Sequence, residues 1–195
     1  EEGFLERIRQ ICDRHGILMV VDEVQSGMGR TGKLFAIEHW NIQPDIVTLA
    51  KGIASGLPLG AFLARPELMT WPSGSHATTF GGNPVACAAA TVTLDLLEEE
   101  LMRNALVRGA ELQEGLRKLR DRLPGLSPPR GKGLMIGVDI LDRDGKIAPK
   151  RRDAIVEQSF YHGLLLLGCG KAAIRFCPPL VIDADQIQTA LTILK

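Results

Sequence analysis

Excess charge of either sign is missing from this sequence: 23 basic residues face 23 acidic ones among 195 residues, for a formal net charge of zero. That balance removes the general electrostatic pull by which nucleic-acid and acidic-membrane binders hold their partners. Long apolar runs are missing too. The longest, Ile17–Val21 and Leu164–Leu167, are strand-sized and far from the ~20 residues that a membrane span needs. Cysteine is scarce and scattered. Cys12, Cys87, Cys169 and Cys177 form no CxxC pair and have no histidine in ligand spacing, which argues against a disulfide framework or a zinc site and points to reduced thiols in a cytoplasmic setting. An initiator Met and a signal peptide are both absent, because Glu-Glu-Gly-Phe-Leu has neither a basic segment nor an apolar one; the start reads as mid-protein. Aromatics reach only 5%, yet the hydrophobic fraction of 45% and mean hydropathy of +0.07 suffice for one or two folded domains.

What is present alternates between helical and strand patterns. Phe4, Leu5, Ile8 and Ile11 follow helical spacing up to His15, with Gly16 placed to end the helix. Ile17–Val21, and Ile46–Leu49 after Pro44, read as strands buried on both faces of a parallel sheet, with a third strand at Gly60–Leu63. Asn83-Pro84 marks the start of the longest helix. Leu112, Leu116, Leu119 and Leu123 mark another, ending at Pro124. The stretch LPGLSPPRGKG reads as a joint and as the best domain boundary in the chain. After it come strands at Leu134–Leu141, Leu164–Leu167 and Ala173–Cys177. Helices are expected around Arg152–Tyr161 and from Asp183 or Asp185, making a small α+β unit.

Three clusters could carry chemistry. Asp22 follows the first strand and Lys51 the second, so both fall at carboxyl ends of strands, where open α/β sheets bind ligands. Lys51 lies in apolar sequence that could desolvate its amine for Schiff-base chemistry, with Asp22 as the acidic partner a pyridine nitrogen needs. In isolation, such a pair is more often a structural ion pair. Gly27-Met28-Gly29-Arg30-Thr31-Gly32 matches a dinucleotide fingerprint in letters only, since five residues separate it from the strand and no full helix follows. His76–Pro84 combines hydroxyls and glycines ahead of a helix start, which suits an anion or an ordinary loop equally. Arg175, inside an apolar strand, needs a partner such as a carboxylate or a local acidic residue.

In order along the chain, VVDEVQSGMGRTG, PDIVTLAKGIASGLPLG, TTFGGNPVACAAA, GKGLMIGVDI, GLLLLGCG and IRFCPPL resemble the class III (subgroup II) pyridoxal-phosphate aminotransferases. The resemblance implies an α/β, type I aminotransferase fold. Residues 1–95 would be the latter part of a large cofactor domain with a mostly parallel sheet, including the start of a long connecting helix. Residues 96–195 would be the rest of that helix and a small α+β domain. It further implies pyridoxal 5'-phosphate as cofactor, with Lys51 as catalytic Schiff-base lysine and proton shuttle. Asp22 would pair with the ring nitrogen, Val24 would pack on the ring, and Gln25 would bond near its phenolic oxygen. Thr79 would bind the phosphate of the partner subunit in a homodimer, and Arg175 a substrate carboxylate. The expected reaction moves an amino group from an amino-acid donor to a 2-oxo acid, with no nucleic-acid or membrane partner. GLLLLGCGKAAIRFCPPL is most similar to 4-aminobutyrate aminotransferases; acetylornithine or ornithine enzymes and amino-acid racemases of the same fold are the alternatives, and a non-catalytic remnant is the reading from another class. Because the family's phosphate loop and ring-stacking aromatic lie in its N-terminal half, this chain is expected to be a C-terminal half with little activity alone.

Overall fold

The computed structural model describes residues 2–195. They divide into a first unit ending at Glu100 and a second, Leu101–Lys195.

The first unit opens with α1 (Phe4–His15), whose C-terminal Gly16 adopts the left-handed conformation (φ 63°) and donates its N–H to the Cys12 carbonyl. Cys12, Met19 and Ile37 form a small core beneath it, with Leu5 and Ile8 packed alongside. The sheet runs β1 (Val20–Asp22), β2 (Ile46–Leu49), β3 (Ala61–Ala64), with β2 in the middle. β1 and β2 are parallel, in register Asp22 to Thr48, as the alternating pattern implies. β3 is antiparallel to β2, so the parallel pairing expected of this sheet holds for one ladder and not the other. The expected double-sided burial of the first strand also fails within this chain. Ile17, Leu18 and Val20 are each about half exposed, because β1 is an edge strand whose outer side nothing among the described residues covers.

A buried carboxylate ties these elements together. Asp45 is 3% exposed; it accepts the Met19 N–H at 2.6 Å and a bond from Arg9 of α1 at 2.9 Å, and it pairs with Arg65 just past β3. The unit ends in α2 (Pro84–Leu96), where the Asn83 side chain accepts the Ala86 N–H and Pro84 occupies the first turn. Ala86, Ala90 and Thr93 face inward, and Thr93 shares a 2.8 Å hydrogen bond with Ser55. A π-helical turn, Leu97–Leu101, follows.

The second unit packs α3 (Met102–Arg122), α4 (Pro149–Tyr161) and α5 (Ala184–Ile193) with a four-stranded antiparallel sheet. Its order is β4 (Arg130–Lys132), β5 (Met135–Asp139), β7 (Ala173–Phe176), β6 (Leu167–Cys169). Leu112, Leu116 and Leu119 of α3 meet Ile136, Val138, Ile174, Phe176 and Ile187 in one core, as the leucine spacing foretells. Gly115 allows this closeness, since a Cβ there would collide with the Leu191 side chain. The Pro/Gly stretch read as a joint lies inside this unit, where β4 pairs with β5. Asp183 caps α5 by accepting the Gln186 N–H at 2.8 Å.

Candidate active site

β1 and β2 deliver their carboxyl ends side by side. Asp22 closes β1 opposite Thr48, and the Glu23 N–H continues the ladder to the Thr48 carbonyl at 3.0 Å. Three residues past Thr48 the chain turns sharply into a short 3-10 helix, Lys51–Ala54, and Lys51 takes a left-handed backbone (φ 48°). That conformation is costly for a side chain with a Cβ, and such outliers concentrate where function needs them. The turn directs Ile53 and Ala54 inward and leaves Lys51 exposed. The burial expected of Lys51 from its apolar flanks therefore falls to its successors instead. The Lys51 amine donates to Gln25 Oε1 at 2.7 Å. Asp22 Oδ1 accepts the Val24 N–H at 2.9 Å, an Asx turn that sets the path of the next residues. Asp22, Val24, Gln25 and Lys51 thus converge at one end of the sheet.

Sequence reasoning missed the residue that shapes this group. Glu23, 1% exposed, points the opposite way from its neighbours. It accepts the Ile37 N–H at 2.8 Å and the Ser26 hydroxyl at 2.5 Å, fastening the loop that carries Val24 and Gln25 to the start of the 3-10 helix Ala36–Trp40. The only signal in the sequence is an acidic residue within VVDEV. Glu23→Ala is expected to strand that buried donor and cost about 1–3 kcal/mol, with Glu23→Gln costing less; chemical denaturation of the variants checks the order. The glycine-rich segment ends in this same short 3-10 helix and not a dinucleotide-binding one. His39 bonds Thr31 at 3.1 Å, a structural role.

Thr79 lies in the exposed stretch before α2 and makes no hydrogen bond to the Asp22–Lys51 group among the described residues. Arg175 belongs to the second unit. It sits on β7 between Gly137 of β5 and Leu167 of β6. Its Nε is buried without a hydrogen-bond partner, and among the described residues no acidic side chain pairs with it. Arg152, on α4, donates to the carbonyls of Cys169 (3.4 Å) and Ala173 (3.1 Å) and so holds the hairpin that carries Arg175. Arg130 is held above its ordinary pKa, first by its hydrogen bonds to Asp139.

The donor set of the first unit suits pyridoxal 5'-phosphate: an accessible amine, a carboxylate on the adjacent strand end and an amide that accepts from the amine. Comparison with known proteins supports the match. The family described as Aminotransferase class-III matches residues 1–195. The chain is 44% identical over 194 residues to an acetylornithine aminotransferase of Gloeobacter violaceus, covering 98% of this chain and 47% of that protein. It is 41% identical to an alanine/serine racemase of Pyrococcus horikoshii, covering 100% of this chain and 42% of the racemase. It also superposes on the crystal structure of N-acetylornithine aminotransferase from Stenotrophomonas maltophilia with a TM-score of 0.87 and 37% identity, over 100% of this chain and 50% of that one. The chain therefore spans about half the length of these relatives. The expected nearness to 4-aminobutyrate enzymes gives way here to acetylornithine enzymes. The physical reason is that an arginine in that string suits any carboxylate, a group that 4-aminobutyrate and acetylornithine both carry. No helix among the described residues is long and apolar enough to cross a membrane. With the ordered strings, the strand-end lysine and a match over its whole length, the chain belongs to the class-III aminotransferases, a family whose cofactor is pyridoxal 5'-phosphate.

Proposed function

We propose that this chain supplies the reactive lysine and the carboxylate-binding arginine of an acetylornithine-type aminotransferase, which passes the donor's amino group to a 2-oxo acid. The observation that carries this reading is the Lys51–Gln25 contact of 2.7 Å beside Asp22, at the ends of two parallel strands. When bound, pyridoxal 5'-phosphate supplies an electron sink for the charge that develops at the substrate carbon. Lys51 would hold the cofactor at its aldehyde carbon and would move a proton to and from the substrate carbon through Nζ. Asp22 would keep a proton on the ring nitrogen, Val24 would pack against the ring, and Gln25, which accepts from the Lys51 amine, would bond near the phenolic oxygen. Arg175 grips a substrate carboxylate. Thr79 serves the phosphate of a second copy, so the working form is a homodimer. In this reading residues 1–95 belong to the cofactor domain and 96–195 to the remaining helix and the small domain.

Support for the donor comes from the acetylornithine aminotransferases at 38–44% identity. The Pyrococcus horikoshii racemase supports a second reading, amino-acid racemisation with the same lysine. A polypeptide of the relatives' full length, built by joining this chain to the segment they carry beyond the match, separates the two. Assayed with acetylornithine, ornithine, 4-aminobutyrate and L-alanine, it is expected to convert acetylornithine fastest in the presence of a 2-oxo acid. Racemisation of alanine without amino transfer would overturn the first reading in favour of the second. The chain by itself is expected to show little or no transfer.

A further inference from the structure

The sheet of the second unit presents a row of four register-matched residues on the face away from its core: Arg130 on β4, Gly137 on β5, Arg175 on β7 and Leu167 on β6. Residues paired across strands point to the same side, so two arginines flank one glycine. Strand spacing places their Cα atoms roughly 10 Å apart. Gly137 itself has no conformational reason to be glycine, because it sits mid-strand without a left-handed φ. Packing gives no reason either. A Cβ there would meet only the guanidinium of Arg130, at 3.9 and 4.0 Å, which is ordinary contact. A glycine inside a strand weakens it and often marks a place where something approaches the backbone closely.

The charges around this floor are uneven. Arg130 is engaged by Asp139 through two hydrogen bonds, at 2.7 and 2.9 Å. Among the described residues Arg175 has no ion pair, and its Nε is buried without a hydrogen-bond partner. Two guanidiniums and one carboxylate leave a single uncompensated positive charge beside the open floor.

We propose that Gly137 is the floor of the carboxylate site at Arg175, and that the Arg130–Asp139 pair restricts this site to a ligand group bearing one negative charge. This rests on the reading of Arg175 as a carboxylate binder and adds two specificity-determining features to it. A carboxylate over Gly137 takes the free donors of Arg175 and the edge of the Arg130 guanidinium. Asp139 repels a second negative charge. Arg175 is the binding residue; Gly137, Arg130 and Asp139 set what it accepts.

The test uses this chain, butyrate as a monocarboxylate and malonate as a compact dicarboxylate, followed by NMR of the arginine Nε–Hε groups. Butyrate is expected to shift the Arg175 signal and, because the carboxylate also meets its guanidinium edge, the Arg130 signal saturably. Gly137→Ile should weaken that titration at least about tenfold and Gly137→Ala by less, both without lowering the unfolding midpoint. Asp139→Asn should raise the affinity for malonate relative to butyrate by about tenfold. If wild-type chain shows no titration, or the Arg130 signal of Arg175→Gln titrates as it does in wild type, the reading of Arg175 itself falls and the proposal with it. If Arg175→Gln abolishes the titration of the Arg130 signal while Gly137→Ile and Gly137→Ala leave the titrations unchanged, only the floor is overturned. An unchanged malonate-to-butyrate ratio in Asp139→Asn overturns the charge restriction.

Discussion

Lys51→Ala, placed in a polypeptide of the relatives' full length, is expected to lower amino-group transfer by at least about 10²–10⁴-fold, the range that positioned proton transfer contributes. Loss of the covalent anchor adds to that. The fold is expected to survive. Lys51 is exposed and already occupies a left-handed backbone at φ 48°, and alanine meets the same backbone cost there, so the substitution removes the amine and little else. Its side-chain hydrogen bond to Gln25 is solvent-accessible and of modest worth. Steady-state transfer rates and unfolding midpoints measured on the same preparations separate the two effects. A variant that keeps its rate would show that another group carries the proton; a variant that loses rate and stability in parallel would show that Lys51 acts through the fold.

Asp45→Ala is expected to be the most destabilising single change in the first unit, at about 3 kcal/mol. Asp45 is 3% exposed, whereas its partners Arg9 and Arg65 are 17% and 46% exposed, so the stranded cations regain some water and the cost stays at the lower end for a broken buried pair. The Met19 N–H also loses its acceptor. The same carboxylate gives the unit an acid-sensitive limb. Its pKa lies below the ordinary carboxylate value, first because it accepts the Met19 N–H and then because it pairs with Arg9, against the opposing pull of burial. The folded state therefore binds that proton less readily than the unfolded chain. The stabilisation is complete above about pH 4, the ordinary aspartate value, and is lost as pH falls through the folded-state value. Urea midpoints taken from pH 7 down to pH 3 should fall more steeply for wild type than for Asp45→Ala. Equal slopes would remove Asp45 from the acid response.

The sequence carried most of the element boundaries because local chemistry sets them. Asn83-Pro84 and Asp183 mark helix starts through their own hydrogen bonds, and Ile46–Leu49 is the strand its apolar run implies. Burial was less legible. A continuous apolar run reports a strand suited to two covered faces, and whether both are covered depends on residues elsewhere, which is why Val20 stands 57% exposed here. The antiparallel turn of β3 was equally hidden, since alternation alone does not give direction. The placement of Asp22 and Lys51 at the ends of adjacent strands was readable from the runs before them. Glu23 and Asp45 were not, because the bonds that bury them reach 14 and 26 residues along the chain, to the Ile37 and Met19 amides. Gly137 is the sharpest case: a glycine's reason for being small shows only when its neighbours across the sheet are known to be arginines.

Reduction of a mixture of this chain and pyridoxal 5'-phosphate with borohydride, followed by peptide mass mapping, tests the central assignment directly. Lys51 is one of several lysines, among them Lys33, Lys118, Lys132, Lys150 and Lys171, which act as internal controls for nonspecific labelling. Label concentrated on Lys51, and weakened by Asp22→Ala or Gln25→Ala, is the expected result. Label spread evenly over the lysines, or a Lys51 left unmodified while others react, would contradict it.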